Sequence, residues 1–310
     1  APLRRLHTSP SQSRRRATFS GKRTKSGALI GFHAKGSDTI VDVPDCLVLT
    51  PGLRQITPAL VPLLRAAGSR KGEVKIAATD GPEGIDLDIR SAKPLDDELR
   101  AQMVMLAADL DLARLTWEGE VIVTRRPPRQ SFGGALVVPP PGAFLQATLE
   151  GQAALTASVL EALAGARRVG DLFSGCGTFS LPLAGHADVT AVEGDRDMLA
   201  ALAEAARAAP DIHQLHTEPR DLFRRPLQAN ELKGFDGLCI DPPRAGAEAQ
   251  TAQIARSNVP VLAAVSCNPL TFARDAETLS KAGYQIDWID VIDQFRWSAH
   301  VELVARLSRI

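Results

Sequence analysis

Beyond about residue 150, short apolar runs alternate with stretches whose apolar residues recur at helical spacing. The alternation predicts helix 152–164, strand 168–173, helix 178–185, strand 188–193 and helix 196–208. It continues with strand 236–240, helix 247–256, strand 259–265 and helix 270–282, an order that calls for a mostly parallel sheet. Two strand-like runs, Gln285 to Val291 and Val301 to Leu307, end the chain. A short loop joins them, so they are expected to be antiparallel.

The first part has a different texture. Ala17 to Ser20 and Gly27 to His33 flank a turn at Thr24-Lys25-Ser26, and Thr39 to Val43 reads as a further strand. Leu53 to Ala67 is helix-like, with Pro58 and Pro62 expected to shorten or kink it. Glu73 to Thr79 and Ile85 to Arg90 suggest a hairpin across Asp80-Gly81-Pro82. Asp96 to Asp109 predicts a helix, with Leu99, Met103, Leu106 and Leu110 on one face. This is a small α+β domain. The Pro/Gly-rich stretch from Pro127 to Gly142 breaks the pattern, placing the boundary near residue 140. Residues 1–139 and 140–310 are the two expected domains.

Composition adds limits. At 310 residues, 45% hydrophobic and 23% charged, the chain has the make-up of a globular protein with a sizeable core. No run approaches the roughly 18 apolar residues needed to span a bilayer. Four scattered cysteines (Cys46, Cys176, Cys239, Cys267) make no disulfide framework, and a cytoplasmic, reducing location is expected. The net charge of zero hides an asymmetry. Residues 1–25 carry eight Lys/Arg and no acid, leaving 28 basic against 36 acidic residues elsewhere. Such a segment points to a polyanion partner, with a transit peptide or a solvated basic edge as the plain alternatives.

Candidate chemistry gathers where strands end. Ser266-Cys267-Asn268-Pro269 follows the apolar run Val259 to Val265, placing a thiol at the carboxyl end of a buried strand, where open α/β sheets bind ligands. Asn268 suits an N-cap and Pro269 the first helical position, and the helix start is expected to favour the thiolate. Val169 to Phe179 reads as a strand, a turn with Gly175 and Gly177, and a helix. Glu193 ends the next strand, where an acid can accept ribose hydroxyls. Together these favour a nucleoside cofactor, against the plainer reading of a tight turn. Asp241-Pro242-Pro243-Arg244 ends a further strand.

The D-L-F-S-G-C-G-T-F turn, D-P-P-R-A-G from Asp241 to Gly246, S-C-N-P-L-T-F-A-R-D from Ser266 to Asp275 and the tail Asp293-Gln294-Phe295…His300-Val301-Glu302 resemble the RNA uracil-C5 methyltransferase family. Gly31-Phe32-His33-Ala34 to Cys46-Leu47-Val48-Leu49 resembles the family's central domain. The resemblance is closest to the 23S rRNA enzymes. It implies a class I, Rossmann-like fold with an antiparallel last strand, and S-adenosylmethionine as methyl donor. It also implies RNA as partner, ribosomal more than transfer, and a monomer.

By the same resemblance Cys267 is the nucleophile and Glu302 the general base. Gln146, Phe173, Gly175, Gly177, Thr178, Glu193, Asp221 and Asp241 match cofactor-contacting positions, although Asp241 could instead touch the uracil. Cys176 and Cys239 read as packing residues, and His300 as a structural hydrogen-bonder. The sequence departs from the family pattern where Thr148 and Thr178 stand for the usual Asn, Arg296 for Pro and Ser298 for Thr. Relatives hold a [4Fe–4S] cluster on three upstream cysteines and one matching Cys46. The chain is therefore expected to be a fragment or a trimmed member, with a cluster only in a longer form. Arg125, Arg126 and Arg129 are candidate phosphate contacts. The rivals are an RNA cytosine-C5 methyltransferase and a methyltransferase-like RNA-binding protein inactive as this fragment.

Overall fold

The computed structural model describes residues 2–68 and 72–310. The chain forms two units, Ala1–Ser9 with Ser131–Val137 and Leu149–Ile310 in one, Pro10–Gln130 with Val138–Thr148 in the other. The expected single boundary near residue 140 is thus replaced by several crossings, because the N-terminal strand belongs to the larger unit's sheet.

In the larger unit eight strands, numbered in chain order, build one sheet: β1 (Leu3–Thr8), β2 (Arg168–Leu172), β3 (Asp188–Glu193), β4 (Leu215–Pro219), β5 (Gly237–Ile240), β6 (Val261–Ser266), β7 (Tyr284–Asp293) and β8 (Glu302–Arg309). Their order is β1-β7-β8-β6-β5-β2-β3-β4. Every pair is parallel except those of β8, which runs against both β6 and β7. Helices cover both faces, so β5 is buried throughout and reads as a plain apolar run. Alternation decides which face a residue joins. Val265 and Val304 pack with Leu155 and Val159 of the helix Leu149–Ala162. Leu262, Ala264, Leu303 and Ala305 pack on the opposite face with Ile254 and Leu279.

Two strands had no apolar signature. β4 and β1 are the outermost strands of the sheet and carry polar sequences, LHTEP and LRRLHT. β1 is secured by side chains: Arg4 pairs with Asp290 at 2.6 Å and with Glu161, and lies 3.6 Å over the Trp288 ring. Arg5 pairs with Glu161 at 2.7 Å. Part of the N-terminal basic charge is therefore neutralised within the fold instead of being displayed to a polyanion.

The smaller unit has a seven-stranded sheet in the order Ile40–Val41, Ala28–His33, Arg16–Arg23, Val74–Gly81, Gly84–Arg90, Arg114–Trp117, Glu120–Thr124. Its one parallel pair, Gly84–Arg90 with Arg114–Trp117, is bridged by the helix Asp97–Asp109, capped by Asp96 on Leu99 N at 2.8 Å. The expected kinked helix 53–67 is two helices, Pro51–Ala59 and Val61–Ala67. Pro62 has no N–H to continue the first ladder and instead starts the second helix. Arg15 is buried, its Nη1 donating to Gln130 Oε1 at 2.6 Å. Arg125 and Arg126 pair with Asp111, and Arg129 with Glu83, so the candidate phosphate contacts of this unit have acidic partners.

Candidate active site

β6 ends at Ser266, and the next helix spans Pro269–Lys281. Asn268 caps it, Oδ1 accepting from Leu270 N at 3.1 Å, with Pro269 opening the first turn. Ser266 Oγ accepts from Asn268 N at 3.2 Å, and Asn268 Nδ2 donates to the Arg244 carbonyl at 3.0 Å. Cys267 is thereby held between a strand end and a capped helix, half-buried.

Across the sheet, antiparallel pairing joins Val265 to Val304 and Ser266 to Leu303. Cys267 and Glu302 adjoin the last of these pairs, and the Glu302 charge acts on the Cys267 thiol. Glu302 is buried, and Gln294 Nε2 donates to its Oε1 at 3.3 Å. Burial pushes the Glu302 carboxyl up to about 7, while Gln294 and the Arg244 guanidinium hold it back. Asp241, at the end of β5, is likewise pushed well above the usual carboxylate range, by burial and then by Glu302 and Asp171.

The helix start expected to favour the thiolate meets opposing influences. Burial pushes the Cys267 thiol up, and the Glu302 and Asp241 carboxyls push it further against the opposing pull of Arg244.

On the other side of β5, the turn after β2 is shaped by backbone. Phe173, Gly175 and Gly177 have φ of +64°, +55° and +92°. A Cβ on Gly177 would stand 2.4 Å from Leu202 Cδ1, so the turn and the helix Arg196–Ala208 fit only with glycine there. Glu193 Oε2 accepts from Gly175 N at 3.0 Å, and its Oε1 from Gly194 N and Asp195 N. The Ser174 hydroxyl is buried in this turn without a hydrogen-bond partner. Thr178 follows, half-buried. Asp221 Oδ1 accepts from Phe223 N and Arg224 N, and the Phe223 ring lies 5.3 Å from Phe173. An acid, two aromatic rings, an orphaned hydroxyl and an open glycine turn fit an adenosine-bearing ligand. Gln146 belongs to the smaller unit, where it is buried and its carbonyl accepts from Arg15 Nε at 3.3 Å.

The comparisons agree with this geometry. Residues 142–310 match the model of the tRNA (Uracil-5-)-methyltransferase family. The chain belongs to this family. An uncharacterized RNA methyltransferase of Brucella suis is 44% identical over 304 residues, covering 96% of this chain and 72% of that protein. A 23S rRNA (uracil(1939)-C(5))-methyltransferase of Chromohalobacter salexigens is 35% identical over 313 residues, covering 96% and 65%. The crystal structure of the Pyrococcus abyssi tRNA (uracil-54, C5)-methyltransferase in complex with S-adenosyl-L-homocysteine is similar in fold. It has a TM-score of 0.76 and 23% identity, covering 98% of this chain and 78% of that one.

Three groups of this methyltransferase carried no sequence signal of their own. Arg244 Nη2 donates to His300 Nδ1 at 2.9 Å, which gives His300 its structural partner. Gln294 holds the glutamate. Asp171, fully buried at the end of β2, accepts from Ser180 Oγ and is pushed up to about 7 by burial. Only the length of the family motifs, which span these positions, could have pointed to them. Cys46 packs against the smaller unit's core, and one thiol does not supply the ligands of an iron–sulfur cluster.

Proposed function

We propose that this methyltransferase, acting as a monomer, modifies C5 of a uridine in ribosomal RNA through a covalent bond between Cys267 and C6 of the base. The observation that carries the reading is the meeting of Cys267 and Glu302 at the same end of the paired strands β6 and β8, where the Glu302 charge acts on the thiol. The ribosomal target rests on the 35% identity to a 23S rRNA enzyme.

C5 of uracil is a weak nucleophile. The Cys267 thiolate adds to C6, and the electron pair moves through the ring to give an enolate with charge shared by C5. S-adenosylmethionine, when bound, would supply the methyl sulfonium electrophile, its S–CH3 bond breaking as the C5–CH3 bond forms and its sulfur leaving as the neutral thioether. Glu302 then removes the remaining C5 proton, the C5–C6 double bond re-forms, and the thiolate leaves. A carboxyl near 7 is divided between its two forms at neutral pH, which suits a group that must accept a proton and release it each turnover. The Arg244 guanidinium faces both charged groups and favours the ionised form of each. Gly175, Gly177, Thr178, Phe173, Glu193, Asp221 and Asp241 are assigned to the methyl donor.

Incubation with 5-fluorouridine-substituted RNA and S-adenosylmethionine tests the reading, because fluorine at C5 blocks the elimination. A protein–RNA adduct stable to denaturant is expected. RNA that binds without forming one overturns the nucleophile assignment.

A further inference from the structure

The loop between β7 and β8 runs from Gln294 to Val301, joining the residue that holds the Glu302 carboxyl to Glu302 itself. At its tip Trp297 is 65% exposed, whereas Trp117 in the smaller unit's core is 1% exposed. Trp297 also has φ of +64°, in the left-handed region that a bulky side chain rarely adopts. An indole placed in water on a strained backbone contributes nothing to the folded core.

The loop is not slack. Phe295 N donates to Asp293 Oδ1 at 3.1 Å, Ser298 N to the Phe295 carbonyl at 2.9 Å, and His300 N to Ser298 Oγ at 3.0 Å. The Phe295 and His300 rings meet edge to face at 6.4 Å. Arg296 reaches the Ser9 carbonyl at 3.5 Å, and its guanidinium lies 5.2 Å from the Trp297 ring. Arg244 ties His300 to the segment after β5. The strained turn is thus braced from both ends, and what it presents is a flat aromatic face with a cation beside it.

Position selects the ligand. Ile292 pairs with Glu302 at the base of the loop, and Cys267 follows Ser266 at the same end of the sheet. A chain whose uridine reaches Cys267 must be unstacked locally. Its exposed bases then need new partners, and aromatic rings with neighbouring arginines are the usual ones. We infer that Trp297, flanked by Arg296, is the stacking platform for an unpaired nucleobase next to the target uridine, and so a binding residue for the RNA substrate. The inference rests on the proposed RNA reading. A protein partner is the competing occupant of such an exposed ring, but it would have no reason to be placed at the reacting end of the sheet.

Tryptophan fluorescence and methyl transfer test it together. The substrate is RNA from cells lacking the gene, separated into ribosomal and transfer fractions, with labelled S-adenosylmethionine. For the wild-type chain, the RNA fraction that accepts methyl should quench emission. Trp297→Ala should remove that quench and raise the RNA KM roughly tenfold, as expected for loss of a base–aromatic stack. Its kcat and its affinity for S-adenosylmethionine should change little. Trp297→Phe should restore most of the KM, which a merely structural loss would not predict. If the wild-type chain methylates RNA while Trp297→Ala keeps the same KM and quench, the platform is refuted. If the wild-type chain methylates neither fraction, the functional reading fails first.

Discussion

Ser266 pairs with Leu303 in antiparallel register, which brings their neighbours Cys267 and Glu302 to the same end of the sheet. The reversed strand β8 creates this arrangement. In a wholly parallel sheet the start of a strand lies at the end of the sheet remote from the ligand crevice. Running β8 backwards brings its first residue to the end where β6 finishes, and with it a carboxylate beside a thiol.

In the proposed mechanism the pair divides the reaction, and the division is separable by mutation. Cys267→Ala should abolish the RNA adduct altogether. Glu302→Gln should still form the bond and transfer methyl, then stall, so that methylated RNA accumulates on the protein while turnover falls by about 10²–10⁴-fold. Denaturing electrophoresis with labelled methyl donor reads both outcomes.

Activity should rise with pH. In the proposed mechanism both groups act deprotonated. Glu302 ionises near 7 and the Cys267 thiol is pushed above its ordinary value, so kcat/KM should climb through neutral pH and continue climbing in the alkaline range. Arg244→Leu removes the guanidinium that lowers both, and should displace the profile towards higher pH. A pH–rate series on the two proteins checks this.

Stability should move the opposite way. Asp171 has its carboxyl raised to about 7 in the fold against an ordinary value of 3.8. The folded protein therefore holds this proton more tightly than the unfolded chain does. The resulting stability is fully present below about 4 and is lost as pH rises through 7, by an amount on the order of 4 kcal/mol. Asp171→Asn, which keeps an acceptor for Ser180 without a charge, should flatten that loss in denaturant titrations run between pH 4 and 8.

Gly177→Ala is a test of the turn. Its Cβ would meet Leu202 at 2.4 Å and its backbone would sit at φ +92°. S-adenosylmethionine affinity, measured by calorimetry, should fall by at least about tenfold, in keeping with strain of 1–3 kcal/mol. Gly175→Ala, whose nearest neighbour is Met198 Sδ at 3.9 Å, should be milder because only its backbone conformation is strained.

The sequence by itself determined a great deal. Long apolar runs and helical spacing located most strands and helices of the larger unit to within a few residues, because strands buried on both faces must be apolar. Asn268-Pro269 marked a helix start, since cap chemistry is local. The thiol and the glycine turn could be picked out as short motifs on predictable elements, whereas the glutamate stood out only through the family resemblance. What lay beyond reach depended on partners distant in sequence. β1 forms because Arg4 finds Asp290 and Trp288 some 285 residues away, and nothing in LRRLHT announces it. Likewise, the proton affinities were decided in the fold. The helix start after Cys267 was legible, but the burial and the two carboxyls that push the thiol up come from other strands. Local chemistry fixes which groups are present. Only the tertiary structure sets how much water and how many like charges surround them, and that governs when each one ionises.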